Sequence, residues 1–200
     1  MSAGEQPGAA LPSTTAAGAP SLREELWSFA LAFYGRPEVS KACLVLQERI
    51  GADVDIILFC LFARLRQGVS LRADDLAAID ALVADWRAEI VQPLRRLRTR
   101  LKSGPPPAPS GPTDELRDRI KSIELEAERI ELDRLADWLA LRGARHEAPA
   151  ADLGESLGLV LGHFAAGARA RDDDPQIRDA LRILADAANE FAAETSPSPA

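Results

Sequence analysis

The chain has 200 residues, of which 46% are hydrophobic and 28% charged, and its formal net charge at pH 7 is −7. This composition is sufficient to close a hydrophobic core, and the excess of acidic residues excludes a general electrostatic attraction to nucleic acid. The sequence shows no basic and apolar leader, no apolar run of membrane length, and only two cysteines, Cys43 and Cys60. We therefore expect a cytoplasmic protein without a membrane span, in which both thiols are reduced and buried.

Three segments have compositions that do not favour packed helices. Residues 1–20 and 195–200 consist mostly of Ala, Gly, Pro, Ser and Thr, so we predict a disordered arm and a disordered tail. Residues 103–112, SGPPPAPSGP, hold five prolines and predict an extended linker. This linker divides the chain into two helical halves.

The first half, residues 21–102, carries helical punctuation and no sustained alternation of apolar and polar residues, so we predict a core of four helices. Ser21 and Glu24 have the spacing of a capping box, which predicts the start of the first helix. The fourth helix has one apolar stripe, and we expect a kink at Pro93 because proline leaves the carbonyl of Glu89 unpaired. The residues that suit the ends of the first three helices are Gly35, Gly51 and Gly68.

Beyond the linker, residues 113–147 predict a long charged helix that pairs antiparallel with the fourth. Oppositely charged residues at helical spacing, such as Glu131 and Arg134, indicate an exposed and self-supporting surface. The apolar seam that we expect to face the fourth helix consists of Leu116, Ile120, Ile123, Ala127 and Ile130. Because this seam drifts further along the helix, an intramolecular hairpin is favoured over a long coiled coil.

Residues 150–194 predict a C-terminal helical hairpin, whose helices begin at the capping pairs Asp152 with Glu155 and Asp174 with Pro175. Three glycines leave one side of its first helix without side chains, so we expect another helix to approach closely there. These glycines are Gly154, Gly158 and Gly162. The predicted fold is all-α: a compact helical bundle with a long helical hairpin and a C-terminal helical extension.

Three stretches are distinctive as sequence: LWSFALAFYGRPEV, ACLVLQERIGADVDIILFCLF and PLRRLRTRLK. Through them the chain resembles an uncharacterised bacterial family that is catalogued as a domain of unknown function. The resemblance is most specific over residues 22–66 and extends to about residue 140. It implies a small, cytoplasmic, all-helical protein, and it supplies no catalytic residue or other functional residue.

Aromatic residues are concentrated in the first half of the chain. Trp27 and Tyr34 share one face of the first predicted helix, and Phe59 lies in the third, whose segment DIILFCLFA is apolar nearly all round. One hypothesis is a pocket for an apolar ligand such as an acyl or isoprenoid chain. The other is a filled three-helix core in which these rings pack. We favour the core and keep the three residues as candidate pocket residues.

A basic cluster without any acidic residue lies near the end of the fourth helix: Arg95, Arg96, Arg98, Arg100 and Lys102. Such a cluster can bind the phosphates of RNA, of a nucleotide or of a lipid head group. It can equally be a solvated face, because Leu94, Leu97 and Leu101 take the buried stripe and leave the cations on its flanks. No aromatic residue is interleaved to stack on bases, which argues against a nucleic-acid partner. We favour the solvated face.

Acidic residues suggest a metal hypothesis at two places. Asp53 and Asp55 are two residues apart, so on a helix their side chains point about 200° from each other, and they can share an ion only where the backbone is not yet helical. A second set has some likeness to the aspartate-rich motifs of isoprenoid synthases: Asp74, Asp75, Asp80 and Asp85. The first two of this set suit a first helical turn and the third lies off the apolar stripe, so we predict no metal site.

No motif nominates a nucleophile, a general base or a phosphate-binding loop, so we predict no catalytic residue and no cofactor, and we favour a non-enzymatic role. The leading hypothesis is a cytoplasmic adaptor or regulator that binds an unidentified protein partner through its helical faces. The first alternative is the binding or processing of an apolar, phosphate-bearing small molecule of the lipid or isoprenoid type. The second alternative is association with RNA or the ribosome through residues 95–102.

Overall fold

The computed structural model describes residues 20–142, 153–166 and 174–195, and within these ranges every regular element is a helix. The elements are α1 (Leu22–Tyr34), α2 (Pro37–Ile50), α3 (Val54–Gln67), α4 (Ala73–Trp86), a π-helical turn (Arg87–Val91), α5 (Gln92–Arg100), α6 (Gly111–Arg142), α7 (Leu153–Ala165) and α8 (Pro175–Thr195). The all-α prediction is therefore confirmed. Apart from residues 20 and 195, the predicted disordered arm and tail lie outside the described residues, as does Asp152.

Local chemistry fixes the ends of the first three helices. The Ser21 hydroxyl accepts a hydrogen bond from the Glu24 amide at 3.3 Å, and the Glu24 carboxylate accepts one from the Ser21 amide at 3.2 Å, which completes the predicted capping box. Gly51 and Gly68 follow α2 and α3 in the left-handed conformation, with φ of 69° and 64°, where glycine has no steric cost. The chain therefore needs only residues 51–53 to pass from α2 to α3.

A proline is accommodated within the long rod formed by α4, the π-helical turn and α5. Pro93 has no amide hydrogen to donate to the carbonyl of Glu89. Just upstream, the Gln92 amide donates to the Arg87 carbonyl, five residues back, so the backbone forms one wider turn before the proline. Arg87, the first residue of this turn, contacts Asp53 at the start of α3.

The long helix α6 buries only part of the face predicted from its apolar seam. Ile123 and Ile130 of the expected apolar seam are 50% and 48% exposed, whereas Glu124 and Glu131 are 4% and 1% exposed. Ile120 and Ala127 of the seam are buried as predicted, at 7% and 4% exposed, but the buried face is turned from Ile123 and Ile130 towards Glu124 and Glu131. The expected surface pair of Glu131 with Arg134 does not form. The physical reason is electrostatic. In the observed orientation of α6 about its axis, the Glu124 carboxylate contacts the guanidinium groups of α5.

Helix α3 lies at the centre of the molecule. Residues 56–63 are all buried, in agreement with the apolar segment of the sequence, and α1, α6 and α7 pack around them. Cys43 and Cys60 are free and buried in this core, as predicted, and burial raises the pKa of each thiol to about 12. None of the helices described is both long and apolar enough to cross a membrane.

The two C-terminal helices pack on the first half of the chain. Helix α8 lies along α2, and its Phe191 ring stands edge-on to Phe29 and Phe33, with ring centroids 5.3 and 5.7 Å away. Helix α7 packs against α3, α4 and α8 through Leu153, Leu157 and Val160. At Gly158 and Gly162 the expected close approach is not found, since no described atom of another element lies within 4 Å of the position that a Cβ would take at either residue.

Candidate binding cleft and buried acidic cluster

A cleft of about 420 Å³ opens between α1, α2, α3 and the pair formed by α5 and α6. Trp27 and Tyr34, two of the three candidate pocket residues, line it from α1. Aliphatic side chains form much of the remaining wall: Leu31, Leu44, Val54, Leu58, Leu125 and Leu132. The charged residues that line it are Asp55, Arg95, Arg98, Lys121, Glu124 and Glu128. The cleft thus combines an apolar wall with a set of ionic groups of both signs.

Phe59, the third candidate pocket residue, does not line the cleft. It is fully buried, and its ring meets that of Trp138 edge-on with centroids 6.2 Å apart. Trp27, by contrast, is half-buried, and the Arg129 guanidinium lies over its ring at 5.4 Å from the centroid. The aromatic residues of the first half therefore divide between the core and the wall of the cleft.

Two residues of the basic cluster turn inward. Arg95 donates hydrogen bonds to Gln47 and Glu124, both at 3.0 Å, and also pairs with Glu128. Arg98 donates to both carboxylate oxygens of Glu124, one of them at 3.1 Å. These guanidinium groups bind α5 to α6, and their charge is largely balanced inside the cleft.

The other three residues of the basic cluster are exposed: Arg96, Arg100 and Lys102. They form no ion pair with any residue in the described ranges. The solvated face that the sequence predicts applies to these three and not to Arg95 or Arg98. The difference arises because α6 presents two glutamates to the inward side of α5.

Glu124 is the acidic residue on which both inward arginines converge. Burial raises the pKa of its carboxyl, but the hydrogen bonds from Arg98 and Arg95 outweigh that effect, and the pKa is lowered overall. Glu124 is therefore ionised at neutral pH. Its neighbour Glu128 differs, because burial raises its pKa by more than Arg95 lowers it.

An acidic cluster, consisting of Asp53, Asp55 and Glu131, lies at the N-terminus of α3, with Glu131 buried and both aspartates partly buried. One carboxylate oxygen of each residue lies within 4.8 Å of the other two. Asp53 has extended backbone angles, with φ −79° and ψ 126°, so it precedes the helix and caps its first turn. Its Oδ1 accepts hydrogen bonds from the amides of Asp55 and Ile56 at 2.8 and 3.1 Å. The two aspartates can therefore face a common ligand, because one of them lies on backbone that is not yet helical.

Glu131 reaches this acidic cluster from α6. It is 1% exposed, and neither of its carboxylate oxygens has a hydrogen-bond partner among the described residues. Burial, followed by the charge of Asp53, raises its pKa to about 8. The same two causes raise the pKa of Asp55 well above its usual range. A further positive charge beside Glu131 would therefore stabilise its ionised form.

Arg87 supplies a positive charge beside the acidic cluster. Its guanidinium lies 3.2 Å from Asp53 Oδ2 and 2.6 Å from Asp80 Oδ1. The other oxygen of Asp80 lies 2.8 Å from Nε2 of His163. Burial raises the pKa of Asp80, but the hydrogen bonds from His163 and Arg87 outweigh it and lower the pKa overall. This chain of contacts connects the acidic cluster to α7.

A second cavity, of about 320 Å³, gives the acidic cluster a route to solvent. Asp53 and Asp55 line it, together with the guanidinium of Arg87. The residues that line both this cavity and the cleft are Gln47, Val54, Asp55 and Arg95. The two spaces are therefore neighbours that share part of one wall.

The four aspartates of α4 do not converge on a common point. Asp75 accepts a hydrogen bond from the Arg72 amide at 2.9 Å and pairs with Arg142. Asp80 faces Arg87, and the other two aspartates are exposed. Asp75 thus caps α4 and pairs with α6, whereas Asp80 pairs with Arg87, so the two aspartates that have partners face different ones.

Sequence reasoning misses both Glu131 and Arg87 as site residues. A signal for Glu131 is nevertheless present, because Glu124, Ala127, Glu131 and Leu135 recur at steps of three, four and four residues. That spacing describes one buried helical face with two acids in it. A search for apolar periodicity passes over such a face, since it assigns every charged residue to solvent.

Comparison with known proteins identifies a family match for this chain. A search of the curated proteins finds no match to this chain, and a search of the solved structures finds none either. A family model described as "Protein of unknown function (DUF2390)" matches residues 25–135. This range contains the acidic cluster and the residues that line the cleft, and it ends before α7 and α8. Because the match covers more than half of the residues, the chain belongs to the DUF2390 family of proteins of unknown function.

Proposed function

We propose that this protein binds an amphipathic small molecule, with its apolar part in the cleft and a phosphate group against the basic side chains. The observation that carries this proposal is the cleft of about 420 Å³, lined by Trp27 and aliphatic side chains and met by Arg95 and Arg98. Spaces of about 300–1,000 Å³, with a few polar groups in a mostly apolar wall, are typical of small-molecule sites. The ligand class is an acyl or isoprenoid chain that bears a phosphate.

The wall of the cleft holds apolar surface that is still in contact with water. Leu31, Leu44 and Leu125 are 48%, 45% and 42% exposed, and all three line the cleft. Each 100 Å² of apolar surface that is removed from water stabilises a complex by about 2.5 kcal/mol. A chain-like ligand that covers these leucines would gain affinity from the burial of their apolar surface.

The basic side of the cleft can receive the phosphate. Lys121 lines the cleft and forms no ion pair with any residue in the described ranges. Arg95 is shared between Glu124 and Glu128. Burial raises the pKa of Glu128, so the ionised form of this carboxyl is less favourable than that of an exposed glutamate. A phosphate beside Lys121 and Arg95 would therefore compete with Glu128 and leave Glu124 in place.

The test is a fluorescence titration of the full-length protein with dodecyl phosphate, and with dodecanol and inorganic phosphate as separate probes. We expect saturable 1:1 binding of dodecyl phosphate and weaker binding of each part alone. Leu44→Gln should weaken binding about tenfold, which corresponds to a loss of about 1.4 kcal/mol of apolar contact. The matched control is Leu82→Gln, a 37% exposed leucine of α4 that does not line the cleft, and it should bind like the wild type. Equal affinity in the L44Q and wild-type proteins would contradict the proposal.

A second candidate function, that of a protein-binding adaptor, is favoured by a different surface. Leu116, Ile123 and Ile130 recur every seven residues on α6 and are 40%, 50% and 48% exposed. This spacing places them along one side of the helix, which suits the apolar face of a partner helix. Gentle isolation from native cells, followed by native mass spectrometry, should then recover a stoichiometric partner. Ile123→Gln should lose that partner and Leu44→Gln should keep it, and a partner retained by both variants would reject this surface.

The RNA alternative has the least support. Arg95 and Arg98 are engaged by glutamates, so the exposed cations of the basic cluster are Arg96, Arg100 and Lys102. Three exposed cations without an aromatic stacking partner provide a weak and salt-sensitive attraction to phosphates.

A further inference from the structure

We propose that Asp53, Asp55 and Glu131 bind a hard divalent cation, of the class of Mg²⁺, Mn²⁺ and Ca²⁺, at the N-terminus of α3. The ion would lie beside the second cavity, on the side where Asp53 and Asp55 line it. This site involves the ion alone, so it stands or falls independently of the small-molecule ligand proposed above.

The donor set has the chemistry and the spacing of a cation site. The three carboxylate oxygens lie within 4.8 Å of one another. Ligands on opposite sides of a Ca²⁺ ion are about 4.6–5.2 Å apart and adjacent ligands are closer, so three such oxygens fit one coordination shell. Mg²⁺ has shorter bonds and would require the oxygens to approach by a further ~0.5 Å. Donors that are all oxygen select these hard cations over copper or zinc.

Glu131 provides a second and independent observation that points to a ligand. It is 1% exposed, one of its oxygens faces both aspartates, and neither oxygen has a hydrogen-bond partner among the described residues. An ionised carboxylate in this position lacks any donor, and a buried polar group without a partner costs free energy. A cation held between Glu131 and the two aspartates supplies the missing partner.

The charge balance around the acidic cluster also favours a cation. The carboxyl groups in and around the acidic cluster are those of Asp53, Asp55, Asp80, Glu124, Glu128 and Glu131. The guanidinium groups that face them are those of Arg87, Arg95 and Arg98, and the His163 imidazole contacts Asp80 from α7. When all six acids are ionised, they exceed the three guanidinium groups by three charges, and a divalent ion neutralises two of these.

The neighbouring groups leave room for the ion. Asp53 already accepts hydrogen bonds from two backbone amides and from Arg87, yet each carboxylate oxygen has two lone pairs, so it can also face a cation. The positive charge of Arg87 is offset by Asp80 on its far side. The second cavity provides the path for the ion and space for coordinating water.

The experiment uses the full-length protein, stripped with EDTA, and the metal ions alone as probes. Isothermal titration calorimetry measures the binding of Mn²⁺, Mg²⁺ and Ca²⁺ in turn, and thermal unfolding is followed with and without each ion. We expect at least one of these ions to bind at one per chain and to raise Tm by roughly 3–8 °C at saturation. Failure of all three ions to bind at this stoichiometry, up to millimolar concentration, would overturn the proposal.

Matched variants locate the bound ion. Glu131→Gln and Asp55→Asn each remove one charged donor and should weaken binding at least about tenfold. Glu126→Gln changes an exposed acid of the same helix α6 and should leave binding unchanged. Circular dichroism verifies that each variant is folded, and the stoichiometry of the wild-type chain tests the proposal where a variant does not fold. Wild-type affinity in both folded variants would place the ion elsewhere and overturn the proposal.

Discussion

Glu124 and Glu131 lie seven residues apart on the same face of α6, and both are buried in contrasting electrostatic surroundings. Glu124 is held by Arg95 and Arg98, and its pKa is lowered overall, although burial opposes that change. Glu131 faces two aspartates without a hydrogen-bond donor, and burial raises its pKa to about 8. Glu124 therefore links α6 to α5 through its ion pairs, whereas Glu131 is a candidate cation ligand.

Replacing Glu124 by Gln should lower the free energy of unfolding by about 1–2 kcal/mol at pH 7, because Arg95 and Arg98 lose their shared anionic partner. The loss is smaller than for a fully buried pair, since the two arginine side chains are 31% and 22% exposed and water screens them in part. Urea unfolding measures the change. The control Glu126→Gln should alter stability by less than about 0.5 kcal/mol, and an equal effect of both substitutions would contradict the assignment.

The contribution of Glu124 should also depend on pH. Its pKa in the folded state is below the ordinary value of 4.5, so the unfolded chain takes up the proton first as the pH falls. The stabilisation is therefore fully present above pH 4.5 and is lost as the pH falls through the lower pKa of the folded state. The difference in stability between the wild type and E124Q should shrink steadily in acid. A difference that stayed constant from neutral pH to the acid limit of folding would rule this out.

At the scale of the helices, starts and stops are predictable from sequence because they depend on local chemistry. The capping box at Ser21 and the glycine stops at Gly51 and Gly68 are found as predicted. The buried face of α6 is not predictable in this way, because it depends on the arginines of α5, beyond the proline-rich linker. Apolar periodicity points Ile123 inward, whereas ion pairing turns Glu124 inward instead.

The candidate site is predictable only in part, for the same reason. Trp27 and Tyr34 are identifiable as pocket candidates, and the spacing of Asp53 and Asp55 defines the condition under which they can share an ion. Glu131 completes that set from another helix far along the chain. Its position follows from how α6 packs on α3, which no local pattern around the aspartates encodes.

Docking of α8 should contribute strongly to stability. Phe191 packs edge-on against Phe29 and Phe33 and beneath two guanidinium groups, so Phe191→Ala should cost about 3 kcal/mol. The control Ile183→Ala removes a half-buried side chain of the same helix and should cost about 1 kcal/mol. Urea unfolding should show one cooperative transition for each variant. A cost below about 1 kcal/mol for F191A would show that α8 adds little to the core.

At the scale of the whole molecule, the cleft and the acidic cluster form one region at the meeting of α2, α3, α5 and α6. Asp55 and Arg95 line both the cleft and the second cavity. Ions such as Mg²⁺ are commonly held by one or two carboxylates together with the phosphate of a ligand. A cation at the acidic cluster would therefore add positive charge close to the proposed phosphate position, where the arginines are already paired.

Ligand binding in the cleft is tested most directly by a nuclear magnetic resonance titration of nitrogen-15-labelled protein with dodecyl phosphate. The three tryptophans report on three places: Trp27 lines the cleft, Trp86 donates to the Ala127 carbonyl at 3.0 Å, and Trp138 packs edge-on to Phe59. The substitution Trp27→Phe assigns the first indole signal. We predict that this signal shifts saturably with added ligand while the other two stay in place. An unmoved Trp27 signal, or equal shifts of all three, would contradict the binding of the ligand in this cleft.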